Sequence, residues 1–60
     1  MTPRDKVLWE LASHGGKLKK SDLRRRTRLK LSELEPILEE LARENRIRID
    51  ARNMISLKEG

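Results

Sequence analysis

The chain has 60 residues, enough for one small domain with a thin hydrophobic core and too few for a deep active-site cleft. It contains no cysteine and a single histidine, which excludes a disulfide framework and a cysteine- or histidine-rich metal cluster. Lysine and arginine number 15 against 10 aspartate and glutamate residues, and this net charge of +5 favours a polyanionic partner such as DNA, RNA or an acidic protein face.

The first predicted element is a helix over residues 3–14. Thr2 can cap its N-terminus, and Pro3 suits the first helical position because a backbone N–H has no helical partner there. Three apolar side chains recur at helical spacing and predict the buried face: Val7, Leu8 and Leu11. The pair Gly15-Gly16 is expected to end this helix, since glycine adopts the left-handed conformation at little cost.

A very short strand and a second helix are predicted next. Residues 17–19 alternate polar and apolar side chains, a pattern that buries only Leu18 if the segment is extended. Residues 20–26 favour a short helix in which Leu23 is the one clear core residue.

A turn and a third helix, over residues 27–31 and 32–44, are predicted to follow. Leu29 and Leu31 alternate with charged residues in the turn, so both are expected to point inward. Ser32-Glu33-Leu34-Glu35 matches the S-x-x-E capping box, which predicts the start of the helix. Its apolar face is formed by Leu34, Leu38 and Leu41, widened by Ile37 and Ala42.

After Asn45, a candidate left-handed helix end, the apolar period changes from helical to two. Ile47 and Ile49 alternate with charged residues, and Ile55 and Leu57 do so after a polar turn. Two short alternating runs around a polar turn predict a β-hairpin over residues 46–57. The chain is therefore expected to form one α+β domain, mostly helical, over residues 1–60.

In this order of elements the sequence resembles the winged helix-turn-helix family. Residues 16–23 resemble the family's entry into its second helix, residues 31–41 its third helix, and residues 43–49 its exit into the wing, with Asn45 where glycine is usual. The resemblance covers nearly the whole chain and implies three helices, a short strand after the first helix and a C-terminal hairpin wing. The family includes transcription factors, replication and repair modules, ribosomal proteins and protein-docking domains.

The charge is unevenly distributed along the chain. Residues 17–30 carry eight lysines and arginines against Asp22 alone, a net +7, whereas residues 31–45 carry Arg43 against five glutamates, a net −4. In the usual docking of this family, the start of the third helix enters the major groove. Here that start carries glutamates and no Arg, Asn or Gln to read guanine or adenine. We therefore expect phosphate contacts with little base readout.

The predicted nucleic-acid contacts lie in the second helix, the turn and the wing: Lys19, Lys20, Arg24, Arg25, Arg28, Lys30, Arg48 and Arg52. An alternative interpretation is a solvated face in which Arg24 or Arg26 pairs with Glu39 or Glu40. The charged fraction of 42% is also typical of heat-adapted proteins with surface ion-pair networks.

Trp9, the only aromatic residue, is expected to pack at the edge of the core against the hairpin. The alternative for Trp9 is an exposed anchor for a homodimer or a partner protein, a role in which tryptophan is enriched. His14 closes the first helix, and we expect it to be structural.

The function expected from the sequence is non-enzymatic binding of nucleic acid, above all duplex DNA, with limited sequence specificity. The alternatives are RNA binding and protein docking within a replication, transcription or ribosomal assembly. The sequence shows no nucleophile–base pair, no metal-ligand cluster and no cofactor motif. It also shows no secretory signal and no apolar run of membrane-spanning length, so we expect a cytoplasmic protein, associated with the nucleoid if it binds DNA.

Overall fold

A computed structural model describes residues 2–58, which form three α-helices and one three-stranded antiparallel sheet. The elements in chain order are α1 (Pro3–Ser13), β1 (Lys17–Lys19), α2 (Lys20–Thr27), α3 (Leu31–Arg43), β2 (Ile47–Ile49) and β3 (Met54–Leu57). Each predicted helix and hairpin boundary lies within one residue of the observed one. The prediction of a small, mostly helical α+β domain is confirmed.

The ends of α1 follow the sequence signals. The Thr2 hydroxyl accepts a hydrogen bond from the Asp5 N–H at 3.1 Å, which satisfies one of the free donors of the first turn. At the other end Gly15 takes a φ of +76°, and the Gly16 N–H donates to the Leu11 carbonyl at 2.7 Å. This left-handed turn reverses the chain into β1.

The start of α3 differs from the prediction. The helix begins at Leu31, so Lys30 and not Ser32 occupies the N-cap, and the predicted Ser32–Glu35 capping box is wrong. Glu33 instead accepts a hydrogen bond from the Lys30 N–H at 3.2 Å. A lysine side chain has only donors, so it cannot accept a bond in return, and the carboxylate alone caps this end.

The end of α3 agrees with the prediction. Asn45 takes a φ of +60°, and its N–H donates to the Ala42 carbonyl at 3.0 Å. The next N–H, of Arg46, donates to the Leu41 carbonyl at 2.9 Å. These two bonds form a Schellman motif, which satisfies free carbonyls of the last turn and turns the chain into β2.

One hydrophobic core joins all three helices to the sheet. Its buried side chains are Val7, Leu11, Leu23, Leu34, Leu38, Leu41, Ile47 and Ile55. Thr27 is buried as well, which the sequence analysis did not predict. Its hydroxyl donates to the Leu23 carbonyl at 2.8 Å, so the polar group enters the core with a partner.

The sheet has the strand order β1-β3-β2 and packs one face on the helices. Leu18, Ile55 and Ile49 are paired in register across the three strands, and Ile55 is fully buried. Because side chains alternate along a strand, the neighbouring residues point away from the core. The second face of the sheet is open to solvent.

Two apolar side chains, of Leu31 and Ile49, are more exposed than predicted. Leu31 was expected to point inward beside Leu29, but it is 45% exposed because it begins α3 and no longer alternates with its neighbour along an extended turn. Ile49 is 40% exposed at the end of the edge strand β2. No helix within residues 2–58 is long and apolar enough to cross a membrane.

Candidate nucleic-acid interface

The cationic side chains of α2 point to different sides of the helix. Leu23 and Thr27 face the core, and the exposed side of the helix continues into the turn before α3. Four cationic side chains there line one shallow cavity together with Ser21 and Leu29, and we call them the helix–turn surface: Arg24, Arg25, Arg28 and Lys30. Arg26 lies on the other side of the wheel, about 60° from Leu23, and does not line this cavity.

The backbone at the end of α2 holds these cations together. Arg28 is the C-cap and takes a left-handed φ of +60°, and its N–H donates to the Arg24 carbonyl at 2.9 Å. The turn that follows brings Lys30 back beside the helix. Three arginines in the last turn also suit the negative end of the helix dipole, so this cluster is compatible with helix stability.

The glutamates of α3 do not neutralise the helix–turn surface. Glu40 and Glu44 pair with Arg4 of α1, and Glu35 lies 3.4 Å from the Lys20 ammonium. The expected pairing of Arg24 or Arg26 with Glu39 or Glu40 is wrong, because Glu40 pairs with Arg4 and no ion pair among residues 2–58 involves Glu39. Within the described part of the chain, no ion pair involves the helix–turn cations.

A second shallow cavity, of about 370 Å³, joins the start of α2 to the β2–β3 turn. Its lining combines four predicted site residues with Ser21, Leu31 and Asn53, and we call it the hairpin cleft: Lys19, Lys20, Arg24 and Arg52. The Lys20 N–H donates to the Asn53 carbonyl at 2.9 Å, which fixes the turn against the helix. Since Arg24 belongs to both cavities, the hairpin cleft and the helix–turn surface are continuous.

Asp50 braces the turn that carries Arg52. One oxygen of its carboxylate accepts hydrogen bonds from the Met54 N–H at 3.0 Å and the Arg52 N–H at 2.8 Å. These two backbone hydrogen bonds, that of Met54 first, hold the pKa of the Asp50 carboxyl below its usual value. The sequence analysis missed this role, although an aspartate that opens a short polar turn is the typical signal of an Asx-turn.

Arg48 does not join the other predicted contacts. It lies in the middle of β2 and is exposed, and its strand neighbour Ile47 points into the core. Arg48 therefore faces the solvent side of the sheet. Lys20 is also less available than expected, because its ammonium lies beside Glu35. The structure thus brings together Lys19, Lys20, Arg24, Arg25, Arg28, Lys30 and Arg52, and places Arg48 on a different surface.

Trp9 is 55% exposed on α1 and is absent from the side chains that pack against the core. The predicted packing against the hairpin is therefore wrong, because Val7 and Leu11 direct the buried face of the helix and Trp9 lies about 200° from Val7. His14 is the C-cap of α1, with Nε2 3.5 Å from the Glu10 carboxylate one turn earlier.

The two connected cavities form a concave, cationic surface whose polar chemistry is that of phosphate binding. Guanidinium and ammonium groups dominate it, and its apolar members are aliphatic, so it offers charge and hydrogen-bond donors without a stacking platform. In the stretch from residue 2 to residue 58, no three acidic, histidine or cysteine side chains are grouped closely enough to hold a metal ion. Comparison with known proteins finds no matching family model, no matching curated protein and no matching solved structure.

Proposed function

We propose that this chain is a winged helix-turn-helix domain that binds the backbone of nucleic acid, above all duplex DNA, with little base specificity. The observation that carries the proposal is the helix–turn surface, where Arg24, Arg25 and Arg28 lie side by side with no carboxylate partner among residues 2–58. An un-neutralised cluster of this kind raises the local potential and attracts a polyanion.

The topology supports the fold part of the proposal. The order α1–β1–α2–α3–β2–β3, with a short strand after the first helix and a C-terminal hairpin, is the order that the sequence resemblance implies. In this interpretation β2 and β3 form the wing, α2 and α3 form the helix-turn-helix, and Arg52 lies at the tip of the wing.

The electrostatics favour phosphate contacts over base readout. Glu33, Glu35 and Glu39 are exposed on α3, the helix that reads bases in the usual docking. Carboxylates placed against phosphates are repelled, whereas the helix–turn surface and Arg52 offer five cations. If these contact about five phosphates, the logarithm of the binding constant falls with the logarithm of salt concentration with a slope of roughly −4 to −5.

The test is a salt titration of labelled duplex DNA by fluorescence anisotropy. The variant R24Q/R25Q removes two cations from the helix–turn surface, and the matched control R26Q/R43Q removes two exposed arginines outside it. We expect the salt slope to become shallower by about 2 in R24Q/R25Q and to stay near the wild-type value in the control.

Two outcomes contradict this proposal. One is the absence of wild-type binding at low salt. The other is an equal loss in both double variants, which would show that net charge and not the helix–turn surface governs binding. The same titration with structured RNA tests the choice of nucleic acid, because a backbone site selective for B-form geometry binds the DNA duplex more tightly.

The exposure of Trp9 favours a second function, docking of a partner protein or a second copy of this chain. A tryptophan with 55% of its surface in solvent is the residue type most enriched at binding hot spots. Sedimentation of the free protein and of Trp9→Ala distinguishes self-association from a monomer. A pull-down from nuclease-treated lysate separates protein partners from those held through nucleic acid.

A further inference from the structure

The solvent face of the sheet carries a second row of cations. Lys17 of β1 and Arg48 of β2 are both paired in register with Ser56 of the central strand β3. Directly opposed residues point to the same face of a sheet, so the two cations flank the Ser56 hydroxyl with about 10 Å between their backbones. Leu18 and Ile55, one position away, face the core, which places this row on the solvent side.

One further cation extends this row. Lys58 follows β3 and lines a shallow cavity with Lys17 and Ser56, at the edge where the Gly15-Gly16 turn enters β1. We call Lys17, Arg48 and Lys58 the sheet surface. In the described ranges no ion pair involves any of them. The nearby carboxylate of Asp50 accepts two backbone N–H groups of the turn through one oxygen, and it interacts with Lys17 through its charge without forming an ion pair.

The sheet surface and the helix–turn surface belong to different layers of the domain. The sheet surface faces away from the helices that pack on the other side of the sheet, whereas the helix–turn surface lies on the helical layer. The domain measures 26 × 24 × 21 Å, a distance over which a duplex with a persistence length of about 150 base pairs is a straight rod. A duplex that lies on one surface therefore leaves the other free.

We propose that the sheet surface is a second binding site for the nucleic-acid backbone, so that one copy of the domain bridges two duplexes. This inference rests on the proposed function, which supplies the first site. The sheet surface has cations and the Ser56 hydroxyl but no aromatic side chain, so it offers phosphate contacts and no platform on which unpaired bases stack. The second ligand is accordingly a duplex and not a single strand.

The experiment measures energy transfer between a donor-labelled and an acceptor-labelled DNA duplex at low salt. Bridging gives transfer that rises with added protein and falls again in excess protein, when each duplex is coated separately. K17Q/R48Q removes two cations from the sheet surface, and R26Q/R43Q is the control with the same change in charge. We expect K17Q/R48Q to lose the transfer signal and the control to keep it.

The affinity for a single duplex separates this inference from the proposed function. K17Q/R48Q is expected to bind one duplex with the salt slope of the control, since the helix–turn surface is intact. If K17Q/R48Q bridges as well as the control, or if an unlabelled single strand abolishes transfer more effectively than an equal amount of duplex, the inference is overturned and the proposed function stands. If the wild type binds no single duplex at low salt, both the second site and the proposed function are contradicted.

Chemical-shift mapping on the wild-type protein avoids dependence on the variants. Addition of duplex DNA in less than stoichiometric amount is expected to move the amide signals of the helix–turn residues first. Protein saturated through both sites is expected to show shifts at Lys17, Arg48 and Ser56 as well. Shifts confined to α2, the turn and the wing at every ratio would overturn the second site.

Discussion

α2 is eight residues long and buries Leu23 and Thr27, whereas α3 is thirteen residues long and buries three leucines along one face. The two helices are consecutive in the chain, yet they contribute to the domain in different ways. α3 supplies the larger share of the core, and most of the surface of α2 is free to carry arginine. The helix that contributes least to the core therefore has the most freedom to bind a ligand.

The charges of the two helices follow the same division. Most carboxylates of α3 have structural partners: Glu33 caps its own helix, Glu35 lies beside Lys20, and Glu40 and Glu44 hold Arg4. The acidity of α3 is thus explained by contacts within the domain. The arginines in the last turn of α2 have no such partners in the described chain, and this is the basis for placing the interface there.

The largest effect expected from this comparison is on stability. Leu34→Ala opens a cavity at a fully buried site of α3, and replacements of this kind destabilise by about 2–5 kcal/mol. In a domain of this size that is a large part of the total stability. We expect the thermal unfolding midpoint, followed by circular dichroism, to fall sharply or the transition to disappear.

Glu39→Ala is the control on the exposed side of the same helix, and its effect is expected to stay within about 0.5 kcal/mol. A small change in Leu34→Ala would mean that α3 is not the main contributor to the core. The contrast between the two helices would then lose its basis.

The elements of the fold were predictable from local signals. Helical and two-residue apolar periods place every element within one residue of its observed boundary, and Gly15 and Asn45 mark two helix ends. The capping of α3 was misassigned because Ser32 is a preferred N-cap residue type, whereas the observed N-cap, Lys30, has no side-chain acceptor. The capping carboxylate comes from Glu33, and this is visible only in the first turn of the folded helix.

The site was less predictable because it depends on contacts between distant parts of the chain. The alternation with Ile47 and Ile49 places Arg48 on the solvent side of β2, but the sheet that separates this side from α2 forms only when β1 pairs with β3, more than thirty residues later. Lys20 pairs with Glu35, which lies 15 residues further along the chain. Neither such a strand pairing nor such an ion pair can be predicted from a local pattern of charges.

A smaller effect is expected at the residues where the two helices end, and there stability and DNA binding can be measured separately. Arg28, which ends α2, and Asn45, which follows α3, both take a φ of +60°. Arginine is strained in this conformation and glycine is not, so Arg28→Gly is expected to gain up to about 1 kcal/mol of stability. Asparagine tolerates the conformation, so Asn45→Gly is expected to change stability little.

The same two substitutions differ in their expected effect on DNA binding. Arg28→Gly removes one cation of the helix–turn surface, and its salt slope is expected to become shallower by about 1, while Asn45→Gly keeps the wild-type slope. Thermal unfolding and anisotropy titration measure the two properties on the same samples. A stabilised Arg28→Gly that keeps the wild-type slope would remove Arg28 from the interface.

The smallest expected effect tests whether α3 lies outside the DNA interface. Glu35→Gln releases Lys20 from an exposed ion pair worth at most about 1 kcal/mol, whereas Glu39→Gln removes an equal charge from a side chain with no ion pair among residues 2–58. Both variants raise DNA affinity slightly through net charge, and we expect the larger gain, within about fivefold, in Glu35→Gln. If α3 instead lay against the duplex, Glu39 would repel phosphates directly and Glu39→Gln would give an equal or larger gain. Matched anisotropy titrations at low salt therefore decide between an interface built on α2 and one that includes α3.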